Sequence, residues 1–436
     1  MRVLIVTLGS RGDVQPYIAL GQGLQAAGHQ VKIATHCNFQ NFVESHGLAF
    51  APIHADMQAL MSSERGRRMW LAGGNSALYG HRFFRTVKPL TRTIAQNCLD
   101  ACSGADIVLG SMLGYWVTYG AAEKLGLPLH AAYLQPAHPT GLYPNAMFKP
   151  LPPSVKNRDR YNLFSYEAFN RVLWLLAASM YNDARKHVLG LPPLQYADLF
   201  GDLTHPGGPQ VLYGYSSHIL PEDPTWPERI RVTGFWYLDP PADWQPPAQL
   251  VKFLESGSPP VYVGFGSMSS CRPQETADTV VEALQLAGVR GVLLSGWAGL
   301  KPSKLPPGVI QIDEAPHSWL FPQMAAVVHH GGAGTLAAAL RAGAPQVAVP
   351  FSADQPFWAH TLTELGVAAA PIPHKRLNAA RLAAAITQVT SDGAIRRRAA
   401  ELGAKIRAEG GVAQAVELIG RLPAHGVPGS ARRLAA

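Results

Sequence analysis

The chain has 436 residues, 47% hydrophobic and only 15% charged, against about 25% charged in an average soluble protein. That composition excludes a disordered chain and allows two or three domains. Its longest near-continuous apolar run, 172–181, falls short of the roughly 20 residues a membrane-spanning helix needs. The net charge of +8 admits nucleic acid, an anionic membrane or an anionic ligand as partners.

Read from the amino end, residues 3–8 form an apolar, β-rich run, so no signal peptide is expected before them. Residues 9–13 read as a turn, 16–27 carry helical spacing (Tyr17, Leu20, Leu24) with Gly28 as terminator, and 31–35 are a second strand. A helix near 94–102, a strand at 107–109 and another at 128–133 continue the alternation. Residues 136–160 are Pro-rich and irregular, 161–190 are helical and aromatic-rich, and 211–215 are strand-like. A breaker-rich passage, 221–247, reads as a linker. A second series follows: strands at 261–264, 291–295, 309–312, 326–329 and 346–349, with helices between them, then a helical stretch, 379–422. Strands alternating with helices predict an α/β fold of two Rossmann-like, doubly wound domains facing a cleft. The expected boundaries are 1–220 and 248–395 for the domains. Residues 396–422 are helices able to cross back to the first domain, and 423–436 are a frayed tail.

Four cysteines without a CxxC pair point to a reduced cytoplasmic protein with no structural zinc. Cys98 and Cys102 share a helix face and read as small core residues.

The segment 327–355 carries most of the chemistry. A strand runs into His329-His330-Gly331-Gly332-Ala333-Gly334-Thr335 and then an Ala-rich helix. A Gly-rich turn opening a helix offers backbone N–H groups at the positive end of the helix dipole, a phosphate cradle. His330 and Thr335 add donors, while His329 reads as structural, as does His36. Asp354-Gln355, after the next strand, offers a carboxylate and an amide suited to adjacent sugar hydroxyls. A tight turn with glycines kept for packing is the plainer reading.

These motifs, with Gly343, Pro345 and Pro350 in order, resemble the nucleotide-sugar signature of the glycosyltransferase-B (GT-B) superfamily. More narrowly they resemble family 1, which holds bacterial and fungal sterol glucosyltransferases and antibiotic glycosyltransferases. Residues 9–17 (Gly-Ser-Arg-Gly-Asp-Val-Gln-Pro-Tyr), Ala34-Thr35-His36, Gly234-Phe235-Trp236 and residues 264–268 are similar to that family's as well. The resemblance covers roughly 1–50 and 160–375. It implies inverting, metal-independent transfer of a sugar, with glucose from UDP-glucose first, to a hydroxyl of a sterol-like or other lipophilic acceptor. It implies no cofactor beyond that co-substrate. Polyketide, antibiotic or glycolipid acceptors with a UDP- or TDP-(deoxy)sugar are the alternative. A nucleotide-sugar epimerase or a non-catalytic nucleotide-sugar-binding protein are readings of another class.

On this resemblance Asp13 is the catalytic base, although aspartate also caps helices. Family members from plants have histidine at that position and a supporting aspartate where this chain has Ser111. Ser10, Arg11, Gly12, Ser267, Met268, His330, Gly332, Gly334, Thr335, Asp354 and Gln355 are expected at the donor. Glu314 and Ala338 stand where plant enzymes hold the base and ribose, so Trp297, Ala315 and His317 become the candidates there. Trp70, Ser111, Tyr133, Phe164, Phe169 and Trp174 are expected to wall the acceptor pocket.

The charge has local sources. Residues 64–92 carry Arg65, Arg67, Arg68, Arg82, Arg85, Lys88 and Arg92 against Glu64 alone, interleaved with aromatics. Residues 395–436 hold a second, Arg-rich patch. Peripheral contact with an anionic membrane follows as an expectation, a solvated helix face being the plainer one. With no recognised binding motif, nucleic acid is not expected.

Overall fold

The computed structural model describes residues 1–55, 59, 63, 76–152, 154–195, 208–241, 243–266, 272–296 and 299–423, with the side chains of 76, 77 and 79 left out. They form two units, each with its own core. One takes most of the chain up to Leu238 and resumes at Glu409; the other takes Asp239–Ala408.

In the first unit, β1 (Arg2–Val6), β2 (Gln30–His36), β3 (Ala49–Ile53), β4 (Ile107–Gly110), β5 (Leu129–Tyr133), β6 (Val211–Tyr213) and β7 (Ile230–Val232) make one parallel sheet in the order β3-β2-β1-β4-β5-β6-β7. Such strands are buried on both faces, which is why they read as apolar runs rather than alternations. β1 shows it well. Val3 and Ile5 pack with Ile18, Leu20 and Leu24 of helix Arg11–Ala26, while Leu4 and Val6 point the other way, onto Ile94, Cys98 and Cys102. The two cysteines are core residues, and burial pushes the Cys102 thiol up to about 12.

The second unit repeats the scheme with β8 (Val261–Gly264), β9 (Gly291–Leu294), β10 (Val309–Ile312), β11 (Ala326–His329) and β12 (Gln346–Ala348) in the order β10-β9-β8-β11-β12. Val261 and Val263 face Val280 and Leu284, and Tyr262 faces Leu320 and Phe321. In both sheets the order reverses beside the unit's first strand, between β1 and β4 and between β8 and β11. Crossovers leave such a point in opposite directions, which opens a crevice at the strands' carboxyl ends.

Three local features differ from the sequence expectation. β3 contains Pro52 and β7 has three residues between prolines, so neither has the length or pattern of a strand, yet each pairs as an edge strand, one at either end of the sheet. β7 therefore lies inside the Pro-rich passage read as a linker. Helix Arg11–Ala26 starts five residues before Pro16, so Gly12 and Asp13 belong to its first turn and not to a loop. The carboxyl-terminal stretch is three helices, Ala379–Ser391, Gly393–Ala408 and Gly411–Gly420. Only the last belongs to the first unit, where Ala415 and Ile419 enter the core beside helix Arg11–Ala26.

Ile419 is fully buried. Ile419→Ala should destabilise the first unit by about 2–5 kcal/mol in urea unfolding. A loss below about 0.5 kcal/mol, the range of neutral surface substitutions, would mean that the last helix is not part of that core.

Candidate active site

The loop after β1 is built around one carboxylate. Gly9 has φ +136, a conformation open to glycine, and donates its N–H to Nε2 of the fully buried His36 at 3.2 Å. A Cβ at Gly9 would lie 2.4 Å from Asp13 Oδ2, so the turn and the carboxylate touch. Asp13 Oδ2 accepts from the Ser10 N–H at 2.7 Å and from the Ser10 hydroxyl at 2.9 Å. This is the N3 side chain reaching back to the N-cap, half of a capping box. Thr7 Oγ1 donates to the Asp13 carbonyl at 2.6 Å and fixes the residue from the other side. Burial raises the Asp13 pKa above the ordinary carboxylate value, and the two Ser10 bonds pull it partly back. The side chain is nonetheless partly exposed. Among the described residues Oδ1 has no hydrogen-bond partner. The capping role therefore falls on one oxygen of the group and leaves the other unbonded.

The other expected residues of this unit divide. Arg11 and Gly12 are exposed beside Asp13, with the Arg11 guanidinium 4.6 Å from the Phe42 ring centroid. Ser10 spends its hydroxyl on Asp13. Ser111 is the N-cap of helix Met112–Leu125, accepting from Gly114 N–H at 3.1 Å. Tyr17, unforeseen, hydrogen-bonds the Ala132 carbonyl at 2.6 Å, and the Asp13 charge adds to burial in raising its phenol.

The residues expected to wall an acceptor pocket do not share one setting. Tyr133 is fully buried, 6.0 Å from Tyr115 and 6.2 Å from Tyr213 between ring centroids. Trp174 faces inward and donates its indole N–H to the Gln195 carbonyl at 3.1 Å. Phe164 is 60% exposed. Phe169 lies about 140° round helix Arg158–Ala184 from each of the other two, at 100° per residue, so the three do not line one surface. Trp70 lies outside the described residues, as do Ser267, Met268 and Trp297.

In the second unit, β11 ends at two histidines with different tasks. His329 is fully buried; its Nδ1 accepts the Gly331 N–H at 3.0 Å and its Nε2 meets Gln346 Oε1 at 2.8 Å. An accepting Nδ1 leaves the proton on Nε2, so the ring is the neutral tautomer. Burial lowers its pKa to about 4. His330 is held by glycines instead of hydrogen bonds. A Cβ at Gly332 would come within 2.3 Å of Nε2, and one at Gly266 (φ +60) within 2.8 Å of Cε1. Its Nδ1 is buried with no hydrogen-bond partner among the described residues. Burial first, then His329 and His317, lowers its pKa to about 3, so it is a neutral donor near pH 7.

Gly332 is the N-cap of helix Ala333–Ala342, and Ala333, Gly334 and Thr335 form its first turn, at least partly exposed. These N–H groups and the neutral imidazole suit a diphosphate. After β12, Gln355 Oε1 accepts from Phe351 N–H at 2.8 Å and Ser352 N–H at 3.3 Å. Asp354 Oδ2 accepts from the Trp358 indole at 2.9 Å. Both side chains are thus oriented by their own loop. Two signals that the sequence reading missed lie just before them. Ala353 has φ +57, a strained value for alanine, and the buried Ser352 hydroxyl lacks a hydrogen-bond partner among the described residues. Ala315 precedes helix His317–Leu320, and the His317 ring stacks on Phe321 at 4.3 Å. Among the described residues no group of three His, Cys, Asp or Glu side chains is placed to hold a metal ion.

Known proteins can be set against this geometry. Residues 3–144 match the glycosyltransferase family 28 N-terminal domain, and 294–421 match the erythromycin biosynthesis protein CIII-like C-terminal domain. The crystal structure of the glycotransferase of kitacinnamycin superposes with a TM-score of 0.70 over 97% of this chain and 99% of that one, at 23% identity. The fold is therefore that of the GT-B glycosyltransferases. The Arabidopsis thaliana sterol 3-beta-glucosyltransferases UGT80A2 and UGT80B1 are 37% and 34% identical over 96% and 97% of the chain. The chain belongs to the family 1 glycosyltransferases of the GT-B fold, the family of these two proteins. It spans 65% and 68% of their lengths, and 29–30% of the Neosartorya fischeri and Aspergillus clavatus sterol 3-beta-glucosyltransferases.

The glycine clamp gives a direct prediction. Gly332→Ala should displace the His330 ring and weaken binding of a nucleoside diphosphate sugar at least about tenfold by calorimetry, with an unchanged melting temperature. Unaltered affinity would show that the ring position does not matter to the ligand.

Proposed function

We propose that the protein is an inverting glycosyltransferase that moves glucose from UDP-glucose to a hydroxyl of a sterol-like acceptor. The names of the two Arabidopsis relatives support the donor sugar and the acceptor class. The observation that carries the chemistry is the Asp13 carboxylate, desolvated, oriented through Oδ2 and without a partner at Oδ1.

In this reading the acceptor hydroxyl gives its proton to Asp13 Oδ1 as its oxygen attacks the anomeric carbon. The bond from that carbon to the diphosphate breaks on the opposite face, and the configuration inverts. The departing UDP gathers negative charge, which the N–H groups of residues 333–335 and the His330 N–H stabilise without rearranging. His329 and Gln346 hold the Gly331 peptide in place for that task. Asp354 and Gln355 hold the sugar hydroxyls, and the turn from Ala315 into the helix start at His317 meets the base. A cytoplasmic enzyme in peripheral contact with anionic lipid, the store of such acceptors, fits the basic segments. No described helix is long and apolar enough to cross a membrane. The erythromycin-type match over 294–421 favours one further reading, a TDP-sugar donor with a polyketide acceptor.

Product mass after incubation with UDP-glucose or TDP-glucose, against cyclodextrin-carried sterols or macrolide aglycones, separates the two readings. A hexose on the sterol from UDP-glucose is expected, and transfer to the aglycone alone would reverse the assignment. Asp13→Asn should lower kcat by about 10²–10⁴-fold with unchanged donor affinity; wild-type turnover would remove Asp13 as the base. The base works deprotonated, so kcat/KM should rise with pH through the raised Asp13 pKa. Ser10→Ala removes a hydrogen bond that favours the carboxylate, which should move this acid limb to higher pH. A limb that stays put would contradict the coupling.

A further inference from the structure

Helix Arg158–Ala184 is inside out. Its inward face carries Tyr166, Asn170, Trp174 and Tyr181, all buried, and the Trp174 indole spends its N–H there. Its outward face carries Phe164, Val172 and Leu175, exposed by 60%, 45% and 78%. These three fall within about 80° of one another on the helix, a stripe three turns long. Leu175 has the largest exposure of any large apolar side chain among the described residues. Water is a poor neighbour for such a stripe, and isolated exposed apolar residues do not usually align this way.

The surroundings identify the partner. Helix Ser76–Val87 runs alongside, close enough that a Cβ at Gly80 would touch Leu176 at 3.2 Å. It delivers Arg85, followed by Lys88, whose Nζ donates to Ser179 Oγ at 3.3 Å, one helical turn past Leu175. Both acids on this face are already paired, Glu167 with Arg171 at 2.6 Å and Asp183 with Arg92 at 2.7 Å. Arg85 and Lys88 therefore leave the flank positive. An apolar ridge with cations at its side fits the boundary between acyl chains and anionic headgroups.

We infer that the outward stripe of helix Arg158–Ala184, flanked by Arg85 and Lys88, is the surface by which the protein docks on an anionic bilayer. This inference rests on the lipophilic-acceptor reading above and gives it a place on the molecule. Phe164, Val172 and Leu175 enter the headgroup boundary, and Arg85 and Lys88 meet lipid phosphates.

Co-sedimentation with phosphatidylcholine vesicles, with and without phosphatidylglycerol, tests it on the whole protein. The wild type should bind the mixed vesicles, prefer them over pure phosphatidylcholine, and lose that preference at about 1 M salt, where charge is screened within about 3 Å. Val172→Ser/Leu175→Ser should lower the partition coefficient at least about tenfold, which is the removal of roughly two buried side chains. Arg85→Glu/Lys88→Glu should remove the anionic preference. Melting temperature and transfer to a cyclodextrin-carried sterol should stay at wild-type values in both variants. Three results would overturn the inference: no wild-type binding, unchanged binding by the serine pair, or a change of the serine pair from dimer to monomer in light scattering. The last would make the stripe a contact between copies. If transfer from cyclodextrin fails in the wild type while vesicle binding holds, the acceptor reading fails and the docking surface stands.

Discussion

A helix that needs an acceptor at its first turn has found it in a carboxylate. Asp13 folds back on Ser10, and the chain around it is arranged so that this can happen. Gly9 adopts a conformation that clears the carboxylate, His36 holds the Gly9 N–H, and Thr7 holds the Asp13 carbonyl. Two opposed effects act on the group. Burial disfavours its charge, and the Ser10 bonds favour it. Burial wins in direction, which makes the carboxylate more basic than one in water.

The second unit solves a similar problem with the same parts. A buried histidine at a strand end accepts an N–H from a glycine of the following turn, His36 from Gly9 and His329 from Gly331. Each turn then delivers a helix start. In the first, a side-chain carboxylate of the opening turn folds back on the N-cap. In the second, the helix start stays partly exposed and a neutral histidine stands beside it, clamped by Gly266 and Gly332. An uncapped helix start suits an anion. The difference between the units follows from residue 13 against the glycines of 331–334.

Much of this was legible in the sequence because parallel strands are apolar on both faces and glycine turns are rare enough to notice. β1, β2, β4, β5 and all five strands of the second sheet lie where the apolar runs predict them. β3 and β7 were not legible, since one carries Pro52 and the other has three residues, and both are defined by pairing with a neighbour. The helix start at Arg11 was hidden by Arg-Gly-Asp, which reads as a turn until Asp13 is seen to close a cap. The glycines beside His330 were legible as a phosphate turn but not as a clamp, because Gly266 comes from another part of the chain. The two faces of helix Arg158–Ala184 were not legible, since aromatic content alone does not say which face of a helix is buried.

Proton transfer from the acceptor turns on the charge state of one carboxylate. Titration of ¹³C-labelled aspartate side chains by NMR reads it directly, with the Asp13 resonance assigned by its loss in Asp13→Asn. A midpoint above the ordinary aspartate value of about 3.9 is expected. A midpoint at or below that value would mean that the Ser10 bonds outweigh burial, leaving Asp13 a helix cap and too weak a base for the transfer.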